Sequence, residues 1–117
     1  METIEKTLVD YLSAHLDGIS VGMEAPEQLG EYVLIEKTAG PSVNHLTTST
    51  IAVQSYGSSM YEALVLNERV KEVMKGLVEL PAVSGIRLET DYNYTNTATK
   101  QYRYQAVFQI THYLGGF

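Results

Sequence analysis

Cysteine is absent from the 117 residues, which excludes a disulfide framework, a thiolate nucleophile and a Cys-based zinc site and leaves the redox compartment open. Basic residues are few. Eight Lys and Arg against fourteen Asp and Glu give a formal net charge of -6, and the eight are scattered along the chain. That balance argues against specific nucleic-acid binding, because gripping a phosphate backbone depends on clustered cations. Long hydrophobic runs are also missing: no apolar stretch approaches the roughly 18 residues of a membrane span. Met1-Glu2-Thr3-Ile4-Glu5-Lys6 carries acids where a secretory signal carries basic residues, so synthesis and residence in the cytosol are expected. Neither Gly-x-Ser-x-Gly nor the glycine-rich lysine motif of phosphate loops occurs.

What is present is a chain with 44% hydrophobic residues, long enough for one α/β-type domain over 1–117 with a core of its own. Ile4, Leu8, Leu12 and Leu16 recur every fourth residue beside Tyr11, which predicts a helix from about Thr3 to Leu16, ended by Asp17-Gly18. Short strands are expected at 19–23, 32–37 and 48–56, separated by turn-forming residues, with a loop from about 38 to 48. Ser59 and Glu62 make a capping-box pattern that starts a second helix. Its broad apolar face is Ala63, Leu64, Leu66, Asn67, Val70, Val73, Met74 and Leu77, with Leu64, Val70, Val73 and Leu77 expected against the sheet. Gly76 weakens the last turn and Pro81 blocks continuation.

The C-terminal third, from Gly85 to Tyr113, reads as a long β-hairpin. Ile86, Leu88, Thr90, Tyr92 and Tyr94 share one parity, and Arg87, Glu89, Asp91 and Asn93 the other. In the second arm Tyr102, Tyr104, Ala106, Phe108 and Ile110 alternate with Arg103, Gln105, Gln109 and Thr111. The order is therefore α-β-β-β-α-β-β: an α+β fold with a small antiparallel or mixed sheet of four to five strands and two helices on one face, from which a hairpin of about 85–113 protrudes.

Residues that could carry chemistry are sparse, and no catalytic, cofactor-binding or metal-binding residue is assigned. His15 falls in the last turn of the first helix, where an imidazole meets terminal carbonyls. His45 and His112 share no ligand spacing with it and are expected at the surface. Gly57-Ser58-Ser59 is explained by capping. Glu89 and Asp91 lie on one side of a strand, with Arg87 and Arg103 as cross-strand ion-pair partners.

Nine tyrosines without a tryptophan could form either a base-stacking platform or a protein interface. Stacking platforms come with a basic groove, whereas interfaces favour Tyr and Arg together without net positive charge. Tyr92, Tyr94, Lys100, Tyr102, Arg103 and Tyr104 are therefore the candidate interface residues, and the polar Thr95-Asn96-Thr97-Ala98-Thr99-Lys100 tip is expected to be mobile until it docks.

The order of elements, Val73-Met74-Lys75-Gly76-Leu77-Val78-Glu79-Leu80 before Gly85-Ile86-Arg87-Leu88, and the final Tyr102-Arg103-Tyr104-Gln105-Ala106-Val107-Phe108-Gln109-Ile110-Thr111 give the chain a resemblance. It resembles the small tail-terminator and tail-completion proteins of long-tailed bacteriophages, often labelled minor capsid proteins in prophages. The resemblance covers nearly the whole chain except Pro41 to Thr47. It implies a non-enzymatic structural protein without cofactors. Such a protein would form a ring, typically hexameric, on the tail-tube end, stop polymerisation and join the head. Its partners would be its own copies, the tail tube protein and a head-completion or connector protein, in the host cytoplasm and then at the head–tail junction of the virion. A head-side connector or head-closure protein, which would have a similar composition and also form rings, fits the sequence equally; gene neighbourhood separates both phage readings from a protein of another class. A small ligand-binding or enzymatic α/β domain, the reading from another class, would need convergent polar groups in a pocket.

Overall fold

Thr3 starts the first helix, α1 (Ile4–His15), by accepting the Lys6 amide on its hydroxyl at 3.1 Å. Ile4, Leu8 and Leu12 form its buried stripe, and Leu16 is buried just beyond its end. The computed structural model describes residues 3–27, 30–39, 42–43 and 46–113. After α1 come β1 (Ser20–Gly22), β2 (Tyr32–Ala39), β3 (Ser42–Val43), β4 (Leu46–Gly57), α2 (Met60–Met74), a 3-10 turn (Lys75–Glu79), β5 (Val83–Asn93) and β6 (Tyr102–Tyr113). Five strands form a mixed sheet in the order β1-β2-β4-β6-β5, parallel only between β1 and β2, and the two-residue β3 adds to β4. This is the expected α+β fold, with both helices on one face.

The core lies between that face and the helices. Val33, Ile35, Ile51, Val53, Ala106, Phe108 and Ile110 of the sheet meet Leu8 and Leu12 of α1 and Leu66, Val70 and Met74 of α2. Each fully buried aliphatic side chain contributes about 1.5–3 kcal/mol relative to exposure. On α2 the buried residues are Ala63, Leu66, Asn67, Val70 and Met74, and Leu77 of the 3-10 turn continues them. Leu64 and Val73, expected to be central to this contact, are only half-buried, because the helix turns Leu66 and Met74 most directly to the sheet.

The capping box forms as its spacing predicts. Ser59 accepts the Glu62 amide at 3.1 Å, and the Glu62 carboxylate reaches back to the Ser58 amide at 2.9 Å. Gly57 lets the strand turn straight into the helix, since a Cβ there would lie 2.6 Å from the Ala63 nitrogen. At the other end the Tyr11 hydroxyl donates to the Val73 carbonyl at 3.1 Å, and Gly76 leaves room for that ring. Burial, with the nearby Glu79 carboxylate, raises the Tyr11 pKa.

Two parts of the sheet differ from the sequence expectation. The expected loop of about 38–48 is largely strand where described: β2 runs on to Ala39, Ser42–Val43 pairs back on β4, and β4 starts at Leu46. Pairing with β4 outweighs the local turn preference, and the Thr38 hydroxyl donates to the Thr50 carbonyl at 3.3 Å. Pro41 and His45 lie outside the described residues. The hairpin, for its part, is built into the sheet. β6 pairs with β4 over its whole length, from Gly57↔Tyr102 to Leu46↔Tyr113, and with β5 on its other side. Only the turn beyond Tyr94 extends past the paired strands.

Candidate assembly surface

One face of the sheet carries no described helix, and the register decides which side chains stand on it. Directly paired residues share a face. Tyr32, Tyr56 and Arg103 therefore lie side by side on β2, β4 and β6, and Leu34, Gln54, Gln105 and Tyr92 form the next row. The pairing of β5 with β6 slips by one residue between Leu88 and Thr90, a β-bulge. Strict alternation placed Tyr92 and Tyr94 beside Ile86 and Leu88; the bulge moves them to the helix-free face and turns Asp91 and Asn93 to the helices.

The contacts follow that reversal. The Asp91 carboxylate accepts from Lys71 Nζ at 3.3 Å and Asn67 Nδ2 at 3.4 Å, both on α2. The Asn93 amide lies 3.2 Å from Met60 Sδ. Glu89 is on the other face, where Gln109 Nε2 donates to it at 3.4 Å. The expected pairing of Glu89 and Asp91 with Arg87 and Arg103 is therefore not what forms. The hydrogen bond to Glu68 and then the contacts with Asp91 raise the Lys71 pKa against a smaller loss from burial.

On the helix-free face Tyr32 and Tyr56 stack with centroids 4.4 Å apart, and they are only 4% and 7% exposed although no described helix covers them. Burial, then the Tyr56 hydroxyl, raises the Tyr32 pKa, with Arg103 opposing. The Arg103 guanidinium lies 4.4 Å from the Tyr94 ring centroid and 5.7 Å from that of Tyr56. Its Nε donates to the Tyr94 carbonyl at 2.7 Å and its Nη1 to the Tyr56 hydroxyl at 2.9 Å. From there Tyr56 donates to Gln54 at 3.1 Å, Gln54 to Gln105 at 2.8 Å and Gln105 to the Tyr92 hydroxyl at 2.6 Å. Tyr92 meets Tyr94 edge-on at 5.7 Å. Arginine, glutamines and tyrosines thus hold one another in fixed rotamers, while Tyr92 and Tyr94 remain 39% and 44% exposed.

The six candidate residues do not form one patch. Tyr92, Tyr94 and Arg103 are brought together on the helix-free face. Tyr102 and Tyr104 share the parity of Ala106 and are half-buried on the helix side. Lys100 sits in the turn with φ 55°. With Tyr102 it lines a cleft of about 200 Å³ alongside Tyr32, Tyr56, Gly57 and Ser58. The described lining offers one cation and several hydroxyls, without a carboxylate or imidazole. The tip expected to be mobile carries a local hydrogen-bonded turn: Asn96 Oδ1 accepts the Ala98 amide at 3.1 Å and the Thr99 amide at 3.3 Å, and Asn96 pairs with Gln101. Tyr32, Gln54, Tyr56 and Gln105 were missed as members of the cluster; their signal is that each stands on the solvent parity of its strand.

The histidines separate by position. His15 Nδ1 lies 2.7 Å from the Tyr11 carbonyl, one helical turn back, as its place in the last turn predicts. His112 is buried at 5% exposure and not at the surface, since its parity is that of Phe108 and Ile110. Its Nε2 is 2.9 Å from Ser49 Oγ. A hydroxyl beside an imidazole has the makings of a nucleophile and base, but Ser49 is 0% exposed, so the pair belongs to the core. Among the described residues no group of three or more His, Asp or Glu is placed to hold a metal ion. No described helix is long and apolar enough to cross a membrane. A scan against protein-family models finds no match to the chain, and no curated protein matches it.

Proposed function

We propose that this chain is a structural subunit of a long-tailed bacteriophage that caps the tail tube as a ring, ends its polymerisation and presents the surface to which the head joins. The resemblance in element order and C-terminal pattern motivates the reading. The observation that carries it is the preorganised patch of Tyr92, Tyr94 and Arg103 on a sheet face without helices. Aromatic side chains already fixed by neighbours lose little entropy on docking, and Tyr with Arg is the usual chemistry of residues that dominate interfaces. An acidic chain also suits a passage for DNA, because like charge discourages tight phosphate contacts.

The test is tube length in a reconstituted tail assembly. Tyr92→Ser with Tyr94→Ser removes the exposed half of the patch and leaves the buried Tyr32–Tyr56 stack. The variant is expected to fold, by circular dichroism, and to let tubes grow beyond the length set by the parent. Normal tube length with the folded double variant would overturn the role of this patch.

A further inference from the structure

The cleft of about 200 Å³ lies where the sheet ends. Gly57 and Tyr102 pair there, β4 passes into α2 on one side, and the hairpin turn returns on the other. Tyr32 is 4% exposed and lines the cleft, yet its hydroxyl has no hydrogen-bond partner among the described residues. Tyr56, stacked against it, differs: its hydroxyl accepts from Arg103 and donates to Gln54. A hydroxyl held this deep and left unbonded carries a free-energy cost that an acceptor bound in the cleft would remove. The rest of the lining points the same way. Lys100 makes no ion pair among the described residues, whereas Lys6, Lys71 and Lys75 each do. Ser58 adds a hydroxyl, and its amide is already given to Glu62, so side chains and not the end of α2 supply the donors. Glu31 and Glu62, the acids closest in sequence to these residues, are not in the lining.

We infer that the cleft is a binding site for a single carboxylate carried on a short apolar body, with Lys100 and the Tyr32 hydroxyl donating to the carboxylate and the rings of Tyr56 and Tyr102 covering the rest. One cation among neutral donors matches one negative charge. A phosphate group, with more charge to balance, calls for clustered cations, which the described lining lacks. Burial raises the Tyr32 pKa, so at neutral pH the hydroxyl keeps the proton that it donates. The volume is below the roughly 300–1,000 Å³ of pockets for drug-sized ligands, which limits the ligand to a small acid or the carboxyl end of a peptide. Tyr92, Tyr94 and Arg103 take no part in the lining, so the site is separate from the proposed assembly surface.

Amide-shift NMR on the full chain tests this with N-acetylphenylalanine, its uncharged amide and benzoate as probes. The acid is expected to shift the Ser58 and Lys100 amides saturably, with a Kd of about 1 mM. The uncharged amide has nothing to offer Lys100 and should bind at least about tenfold more weakly, as should the acid to Lys100→Gln. Tyr32→Phe keeps the ring stack and removes only the hydroxyl; it should weaken binding of the acid about three- to tenfold. Lys75→Gln, which removes an exposed cation elsewhere, should leave binding unchanged. Tighter binding of N-acetylphenylalanine than of benzoate assigns the chain end of a peptide, and the reverse a free aryl acid; both support the site. It is overturned by the absence of a saturable shift, by shifts away from the cleft alone, or by equal binding of acid and amide, a comparison that needs no substitution. A folded Lys100→Gln or Tyr32→Phe chain that binds as the parent does, or a loss in Lys75→Gln equal to that in Lys100→Gln, would overturn it too.

Discussion

Ser49 and His112 sit at the end of the core near α1, and their burial has a consequence that depends on pH. Burial disfavours the charged imidazole and lowers its pKa below the ordinary 6.5, with Lys37 adding to this and the Tyr113 backbone and Glu5 opposing it. The unfolded chain takes up this proton near 6.5 while the folded chain holds it off. Below that pH the unfolded state therefore binds more protons. Stability from the neutral histidine is complete above pH 6.5 and declines as pH falls toward the lowered folded-state value. Thermal unfolding midpoints across this range should fall with acid in the parent and fall less in His112→Gln, which keeps a group able to bond Ser49. An identical slope in the variant would assign the acid sensitivity to other residues.

At the scale of elements, α2 gives the sharpest contrast, since Leu66 is 1% exposed and Leu64 half-buried only two positions away. Leu66→Asp would place an unpaired carboxylate in the core and should cost several kcal/mol, comparable with the roughly 5–15 kcal/mol margin of a small domain. Leu64→Asp can turn its carboxylate toward water and should remain folded. Chemical denaturation distinguishes the two, and equal losses would show that the side of the helix is misassigned. The helices were legible in the sequence because both their apolar stripes and the Ser59/Glu62 cap are local signals. The sheet was legible in its order and less so in its faces. A single slip opposite β6 reverses Tyr92 and Tyr94, and the alternation of β5 alone contains no mark of it. The stack of Tyr32 on Tyr56 depends likewise on strand order, which joins residues far apart in the chain. Turn formers between Thr38 and Thr47 suggested a loop because the pairing that draws Ala39, Ser42 and Val43 into strands comes from β4.

For the whole molecule, what matters is where the charge lies. Arg87, Lys100 and Arg103 are too few and too interleaved with Glu89 and the rings to form a cationic track, and the remainder of the chain is strongly acidic. Labelled duplex DNA titrated at moderate salt should bind no more tightly than the roughly 10⁻⁴–10⁻⁶ M of non-specific contact. Submicromolar affinity would reveal a phosphate-binding surface that this distribution lacks. The place of β6 in the sheet bears on something else, the making of the protein. It is the last of the described strands to be synthesised, yet it lies in the middle, between β4 and β5. As the chain leaves the ribosome, β1, β2 and β4 can pair, while β4 keeps one edge bare and β5 has no neighbour. Closure of the sheet must wait for β6, which joins β4 across more than fifty intervening residues at their central pairs, such as Ile51↔Phe108. The hazard of aggregation is thus concentrated in the interval between the emergence of β4 and the arrival of β6.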